Sequence, residues 1–215
     1  MIKQAPLSRV IFFILSFAGI LFVIGFLFWK QEVQYLTPTE KPLGYVDVRT
    51  MEDTNLDSVL RSHNGKPVFI HYYNPYCPCS KFNYNYYEEL VEKYEGQFNM
   101  YFVIREMDRD VVDEIKNNIT VDVTLVIDEN GEIAKQTGVY STPQGVILDS
   151  DYNLYFRGNY NRSRYCTIKT YNYVEMAMDS ILNNRPPPQF DYFATTAYGC
   201  SIEKEKEFYQ TLLNY

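Results

Sequence analysis

One uninterrupted apolar run near the N-terminus constrains this 215-residue chain more than any other feature. Residues 10–29 are all apolar or small, and none of them carries a charge. At about 1.5 Å per residue, a helix of this length matches the ~30 Å hydrocarbon core of a bilayer. The run has no polar face, so it does not fit a helix packed inside a globular domain. We therefore predict a transmembrane helix over residues 10–29.

The charges around this run predict its orientation. Lys3 and Arg9 precede it, and no acidic residue occurs before residue 31. The positive-inside rule then places residues 1–9 in the cytoplasm and the rest of the chain outside it. A cleaved signal peptide is the rival interpretation, but its apolar segment is usually ~7–15 residues long and ends at small side chains. This longer run ends in bulky residues, which favours an uncleaved, single-pass anchor in the cytoplasmic (inner) membrane with a periplasmic domain.

Composition narrows the classes of partner. Hydrophobic residues make up 46% of the chain, enough for a folded core, and 20 basic against 27 acidic residues give a net charge of −7. Such a surface repels phosphate backbones, and no basic stripe with interleaved aromatic residues is present. We expect the lipid bilayer as a partner of residues 10–29 and no nucleic acid as a partner.

The part after the anchor divides into three segments by pattern. Residues 30–43 are polar, contain two prolines and read as a linker. Residues 44–185 alternate strand-like and helix-like pieces, which favours an α/β layer fold. A proline run then separates residues 186–215, a C-terminal extension that we expect outside the compact core.

The chain has four cysteines, an even number that favours disulfide pairing in an oxidising compartment. A zinc site would need two close pairs or suitably spaced histidines. Only two of the cysteines are close in sequence, and the histidines are His63 and His71. We expect no metal and no cofactor. The cysteines are Cys77, Cys79, Cys166 and Cys200.

Cys77 has the position of a reactive thiol. It follows a compact apolar strand that begins at Val68 and stands at the start of a predicted helix. Unpaired backbone N–H groups and the helix dipole stabilise a thiolate at such a position and lower its pKa. The pattern therefore predicts a nucleophilic cysteine.

Two segments carry a resemblance to a known superfamily. Residues 68–78, VFIHYYNPYCP, and residues 138–149, GVYSTPQGVILD, resemble the thioredoxin-like superfamily, in particular its membrane-tethered extracytoplasmic thiol-disulfide oxidoreductases of the TlpA and ResA kind. The resemblance covers about residues 44–183. It implies a thioredoxin-like fold, with a central mixed sheet flanked by helices, and protein thiols and disulfides as partners. It also implies that Pro143 is a cis-proline facing the catalytic Cys77, and that the substrate is contacted by Tyr76, Pro78, Thr142 and Pro143. The electron donor is not implied.

The motif departs from the family at one position. Cys77 begins a C-P-C-S sequence in which Ser80 stands where the family has its resolving cysteine. Three arrangements stay open: a Cys77–Cys79 disulfide, resolution of Cys77 by Cys200 or Cys166, or a Cu(I) ion held by Cys77 and Cys79. A separate hypothesis is a structural Cys166–Cys200 disulfide that fastens the extension to the core.

His71 completes the set of candidate catalytic residues. It lies six residues before Cys77, where the resemblance implies a buried acid in the family. With an ordinary pKa of ~6.5 it is suited to proton transfer during exchange, and the alternative is a core histidine. The sequence as a whole predicts an oxidoreductase that exchanges thiols and disulfides outside the membrane through Cys77. A copper metallochaperone and a redox-inactive binding or scaffold module on the same fold are the alternatives.

Overall fold

A computed structural model describes residues 7–60, 64–105 and 109–202. The chain divides into two units, Met1–Thr37 and Pro38–Tyr215. Each unit is described here by itself.

The first unit consists of helix α1, Leu7–Gln31, and a 3₁₀ helix, Val33–Leu36. Within it, Leu7–Lys30 is long and apolar enough to cross a membrane, and its most apolar 18-residue window has a mean hydropathy of 2.9. Its large apolar side chains are exposed. By length and composition, α1 fits a membrane anchor or a signal sequence.

A five-stranded mixed sheet lies at the centre of the second unit, in the order β3-β2-β1-β5-β6. Strand β1 is parallel to β2, β2 is parallel to β3, and the last two strands form an antiparallel hairpin beside β1. A second, two-stranded sheet joins β4 to β7. The strands are β1 Val68–Tyr73, β2 Asn99–Arg105, β3 Thr124–Asp128, β4 Ser141–Thr142, β5 Gln144–Leu148, β6 Leu154–Gly158 and β7 Cys200–Ser201.

In the described part of this unit, six α-helices and a second 3₁₀ helix accompany the sheet. The α-helices are α2 Asp57–Leu60, α3 Pro78–Lys93, α4 Arg109–Asn118, α5 Glu132–Thr137, α6 Tyr173–Leu182 and α7 Tyr192–Thr195, and the 3₁₀ helix is Lys169–Tyr171. Side chains from α3 and α6 share one core cluster with Phe69 of β1, while side chains from α2 and α5 share another with Ile70. Because successive strand residues point to opposite faces, β1 contributes to both layers.

The central position of β1 follows from its sequence. Residues 68–72 are all buried, as expected for a strand covered on both faces. The predicted α/β class, with a central mixed sheet flanked by helices, is therefore confirmed. This arrangement brings the C-terminal end of β1 and the N-terminus of α3 to the same place as β4.

Candidate active site

Cys77 caps the N-terminus of the 16-residue helix α3. The turn before it is built by Asn74, whose side-chain oxygen accepts a hydrogen bond from the Tyr76 N–H at 2.8 Å and whose carbonyl accepts one from the Cys77 N–H at 3.1 Å. Pro78 follows in the first turn of the helix, where its missing N–H removes no hydrogen bond. Cys77 thus stands at a helix N-terminus, where backbone N–H groups and the helix dipole stabilise a thiolate, and its sulfur makes no capping hydrogen bond in this structure.

Ser80 has a structural part in this turn. Its hydroxyl is buried and accepts a hydrogen bond from the Asn74 N–H at 3.3 Å. The residue at the place of the family's resolving cysteine therefore fastens the loop that carries Cys77.

The structure joins Cys77 to Cys200 in a disulfide, with the two Cα atoms 5.9 Å apart and a sequence separation of 123 positions. Of the arrangements left open by the sequence, this agrees with the pairing of Cys77 and Cys200. The Cys77–Cys79 and Cys166–Cys200 bonds are not formed in this structure. Cys79 lies outside the disulfide, in the first turn of α3, and is 4% exposed.

Residues 196–202, which we call the C-terminal strap, bring Cys200 to the site. Strand β7 pairs antiparallel with β4, so that Cys200 is opposite Thr142 and Ser201 is opposite Ser141. The Ile202 N–H then donates to the Tyr140 carbonyl at 3.2 Å. The strap thereby forms a short strand along the segment that precedes Pro143.

Gly199 shows how closely the strap approaches β4. Its φ is +146°, and a Cβ built on it would lie 2.1 Å from the Thr142 carbonyl oxygen. A side chain at this position would meet backbone, so glycine is required. The residue before Cys200 thus lets two chain segments meet at the disulfide.

Asn159 fixes both the start of the strap and the segment before it. Its side-chain amide donates to the carbonyls of Phe193 and Thr196 at 2.7 and 2.6 Å, and its side-chain oxygen accepts from the Tyr198 N–H at 3.4 Å. Ala194 and Ala197 are fully buried. The expectation that the extension lies outside the compact core is therefore wrong for Ala194, Ala197 and Ile202, because these three residues are buried. Residues 203–215 of the extension lie outside the described residues.

Thr142, the residue before Pro143, lies against Cys77. The Thr142–Pro143 peptide bond is cis, and the Thr142 carbonyl oxygen lies 3.3 Å from the Cys77 sulfur. Tyr76 is 44% exposed and lines a cavity of about 340 Å³ with Tyr73 and Tyr84. The two sequence motifs therefore meet at one place, with an aromatic cavity beside them.

His71 is a fully buried core residue in the structure. Its Nδ1 hydrogen-bonds the Tyr160 hydroxyl at 2.5 Å, and its ring stacks on Tyr87 with centroids 4.1 Å apart. Burial lowers the pKa of His71 to about 3, because the charged imidazolium is excluded from water. His71 is therefore neutral at pH 7, and burial opposes the charged form that proton transfer would need.

Cys166 lies apart from the disulfide, against helix α3. The Asn83 side-chain amide donates to its sulfur at 3.1 Å. Burial raises the pKa of Cys166 to about 11, which outweighs the lowering by Asn83. Cys166 is accordingly a thiol of low reactivity at neutral pH.

Within the described ranges, no group of three or more His, Cys, Asp or Glu side chains is placed to hold a metal ion. The Cu(I) hypothesis required Cys77 and Cys79 as thiolates, whereas Cys77 is bonded to Cys200.

Sequence reasoning missed the geometry that Cys200 shares with Thr142. The Cys77–Cys200 disulfide joins residues 123 positions apart. Strand β7, which carries Cys200, has only two residues and is too short to show a period. The available signal was the Gly199-Cys200 pair, a glycine that permits close approach beside one of four cysteines.

The sheet order, the cis-proline segment and a cysteine capping the helix after β1 define a thioredoxin-like protein. The chain belongs to the family described as a domain of unknown function, DUF6436, whose model matches residues 47–203. The matched range includes both cysteines of the disulfide.

Two relatives are similar to large parts of the chain. The chain is 28% identical over 154 residues to the thiol-disulfide oxidoreductase ResA of Bacillus cereus, across 69% of this chain and 84% of that protein. It is 26% identical over 114 residues to an uncharacterized protein of Haemophilus influenzae, across 50% of this chain and 73% of that protein.

Two solved structures share the fold. An uncharacterized conserved protein from Geobacillus kaustophilus has a TM-score of 0.56 and 21% identity, over 64% of this chain and 77% of that one. A hypothetical protein from Sinorhizobium meliloti has a TM-score of 0.54 and 16% identity, over 77% of this chain and 96% of that one. At these identities the likeness concerns the fold alone.

Proposed function

We propose that this protein is a thiol-disulfide oxidoreductase whose redox centre is the Cys77–Cys200 disulfide. The observation that carries the proposal is the placement of this bond, at the N-terminus of α3 and against the Thr142–Pro143 segment. The similarity to ResA supports the same class of reaction.

The chemistry needs two cysteines that close and open one bond. A thiolate of the partner attacks one sulfur, the other sulfur leaves as a thiolate, and a second partner thiol releases the mixed disulfide. The protein gains two electrons, and the partner thiols become a disulfide. The N-terminus of α3 stabilises Cys77 as a thiolate, and Cys200 supplies the second sulfur of the couple, which Ser80 cannot.

The partner surface is formed by the residues around the disulfide. We propose that Tyr76, with its cavity, and Pro78 contact a protein thiol or disulfide. Ser141 and Thr142, which precede Pro143, pair with the strap opposite Cys77. We assign Cys79 and His71 to packing around the site, since both are buried and Cys200 supplies the second sulfur.

We further propose that α1 anchors the domain in the cytoplasmic membrane with the N-terminus inside. The apolar length of α1 and the position of Lys3 and Arg9 before it support this topology. A disulfide-bonded redox centre also suits an oxidising compartment outside the cytoplasm.

The experiment is a titration of the solubilised full chain with glutathione redox buffers, followed by acid quenching and thiol labelling. We expect one two-electron transition that requires Cys77 and Cys200, and its loss in Cys77→Ser. Cys166→Ser is the matched control and should keep the transition, because Cys166 lies outside the disulfide. A Cys77–Cys200 bond that stays oxidised throughout the glutathione range would contradict the proposal and leave a structural disulfide.

A further inference from the structure

The two halves of the Cys77–Cys200 disulfide differ in their access to solvent. Cys77 is 0% exposed, whereas Cys200 on the strap is partly exposed. The Cys77 sulfur lies against the Thr142 carbonyl, and β7 lies along β4 beside it. A partner thiolate approaching the closed disulfide therefore meets the strap before it meets Cys77.

The strap is held on both sides of Cys200. On the upstream side, Thr39 donates from its N–H to the Ala197 carbonyl at 2.9 Å and from its hydroxyl to the Gly199 carbonyl at 3.3 Å. On the downstream side, Ile202 bonds Tyr140 through its N–H and is 8% exposed. Uncovering Cys77 would break these contacts, so the closed form resists opening before attack.

The strap also occupies the pairing edge next to Pro143. The ladder between β4 and β7 matches Thr142 with Cys200 and Ser141 with Ser201. Thr39 joins this ladder through its hydroxyl, 3.0 Å from the Ser141 hydroxyl. A partner polypeptide cannot add a strand to this edge of β4 while the strap is in place.

We propose that the partner thiolate attacks the sulfur of Cys200 and that Cys77 is the leaving group. The inference rests on the proposed function and specifies which sulfur meets the partner. The attack forms a bond between the partner sulfur and Cys200, breaks the Cys77–Cys200 bond, and leaves the electron pair on Cys77. A second thiol of the partner then attacks the mixed disulfide, forms the partner's disulfide and releases Cys200 as a thiolate.

Helix α3 favours this direction of cleavage. A thiol of lower pKa leaves faster in thiol-disulfide exchange, and the N-terminus of a helix lowers the pKa of a cysteine. Cys77 caps α3, whereas Cys200 lies in a two-residue strand. In the reducing direction the same path runs backwards: Cys200 attacks a partner disulfide and Cys77 resolves the product.

The first test compares two reduced single variants of the solubilised full chain. Each reacts with 5,5′-dithiobis(2-nitrobenzoic acid), and peptide mapping assigns the modified cysteine. We expect Cys200 in Cys77→Ser to react about tenfold or more faster than Cys77 in Cys200→Ser, because the strap covers Cys77. Equal rates, or a faster Cys77, would overturn the proposal.

The second test uses the oxidised chain with all four cysteines. After brief exposure to glutathione and acid quenching, we expect the first adduct on the peptide that contains Cys200. An adduct mainly on the Cys77 peptide would overturn the proposal even if the labelling rates agreed with it. If glutathione forms no adduct, the proposed function fails, while the labelling rates still decide which sulfur is accessible.

A matched pair of substitutions tests whether the strap causes the slow labelling of Cys77. Thr39→Ala removes the hydroxyl that contacts Ser141 and Gly199, and Thr39→Ser keeps it. In the Cys200→Ser background, Thr39→Ala should increase the labelling rate of Cys77 several-fold, and Thr39→Ser should restore the slow rate. An unchanged rate in Thr39→Ala would contradict the role of the strap.

Discussion

At the residue scale, the site depends on small side chains placed where backbone segments meet. Ser80 fastens the turn that carries Cys77, and Gly199 lets the strap approach Thr142. Neither residue takes part in the exchange chemistry. Both determine where a sulfur atom lies, so the consequences of changing them are geometric.

Gly199→Ala should loosen the strap. The new Cβ would meet the Thr142 carbonyl, and the φ of +146° is one that residues with side chains rarely adopt. We expect a loss of about 1–3 kcal/mol in the free energy of unfolding, measured by urea denaturation of the oxidised chain. Gly44→Ala is the control: its φ is +76°, but nothing lies within 4 Å of its added Cβ. An equal effect of both changes would show that backbone conformation alone, and not the contact with Thr142, is responsible.

His71 should make stability depend on pH. Its pKa falls from an ordinary 6.5 to about 3 on folding, so the unfolded chain binds the proton more readily. The stabilisation is fully present above pH 6.5 and is lost as the pH falls toward 3, by about 2 kcal/mol between pH 7 and pH 5. Urea denaturation across this range should show a flatter pH dependence in His71→Gln. The same slope in both proteins would argue against a neutral, buried His71.

At the element scale, the strap and the segment before it are held by one buried amide. Asn159→Ala removes three hydrogen bonds, to the backbone of Phe193, Thr196 and Tyr198. We expect a loss of about 2–4 kcal/mol in the free energy of unfolding and faster labelling of the reduced Cys200. Asn183→Ala removes a single exposed hydrogen bond to Asp179 and should cost less than about 1 kcal/mol. If both substitutions cost the same, Asn159 does not hold the strap.

Some elements of the fold can be predicted from the sequence and others cannot, and the difference has a physical reason. The apolar run of β1 and the proline that opens α3 are local patterns, so the strand, the helix start and the position of Cys77 follow from sequence. Strand β7 has two residues and is held by its pairing with β4, by Thr39 and by the disulfide. The burial of Ala194 and Ala197 likewise depends on Asn159, far away in sequence. Such long-range contacts leave no period in the chain.

At the scale of the whole molecule, the proposed redox domain follows an apolar helix in the chain. If α1 is an anchor with its N-terminus inside, an impermeant thiol reagent added to intact cells should label the domain once the disulfide has been reduced. Labelling only after lysis would contradict the topology. Cys166→Ser is a suitable background, because it removes a cysteine that lies outside the disulfide.

We propose above all that Cys77 and Cys200 form the working redox couple. Its most direct test is mass mapping of disulfides in the full chain, extracted with free thiols blocked, before and after equilibration with reduced glutathione. Before treatment we expect a linked peptide pair that contains Cys77 and Cys200. After treatment we expect both cysteines as free thiols. Cys166 should be a free thiol in both samples. A Cys77–Cys79 or Cys166–Cys200 linkage in the native sample, or a Cys77–Cys200 linkage that survives the treatment, would contradict this proposal.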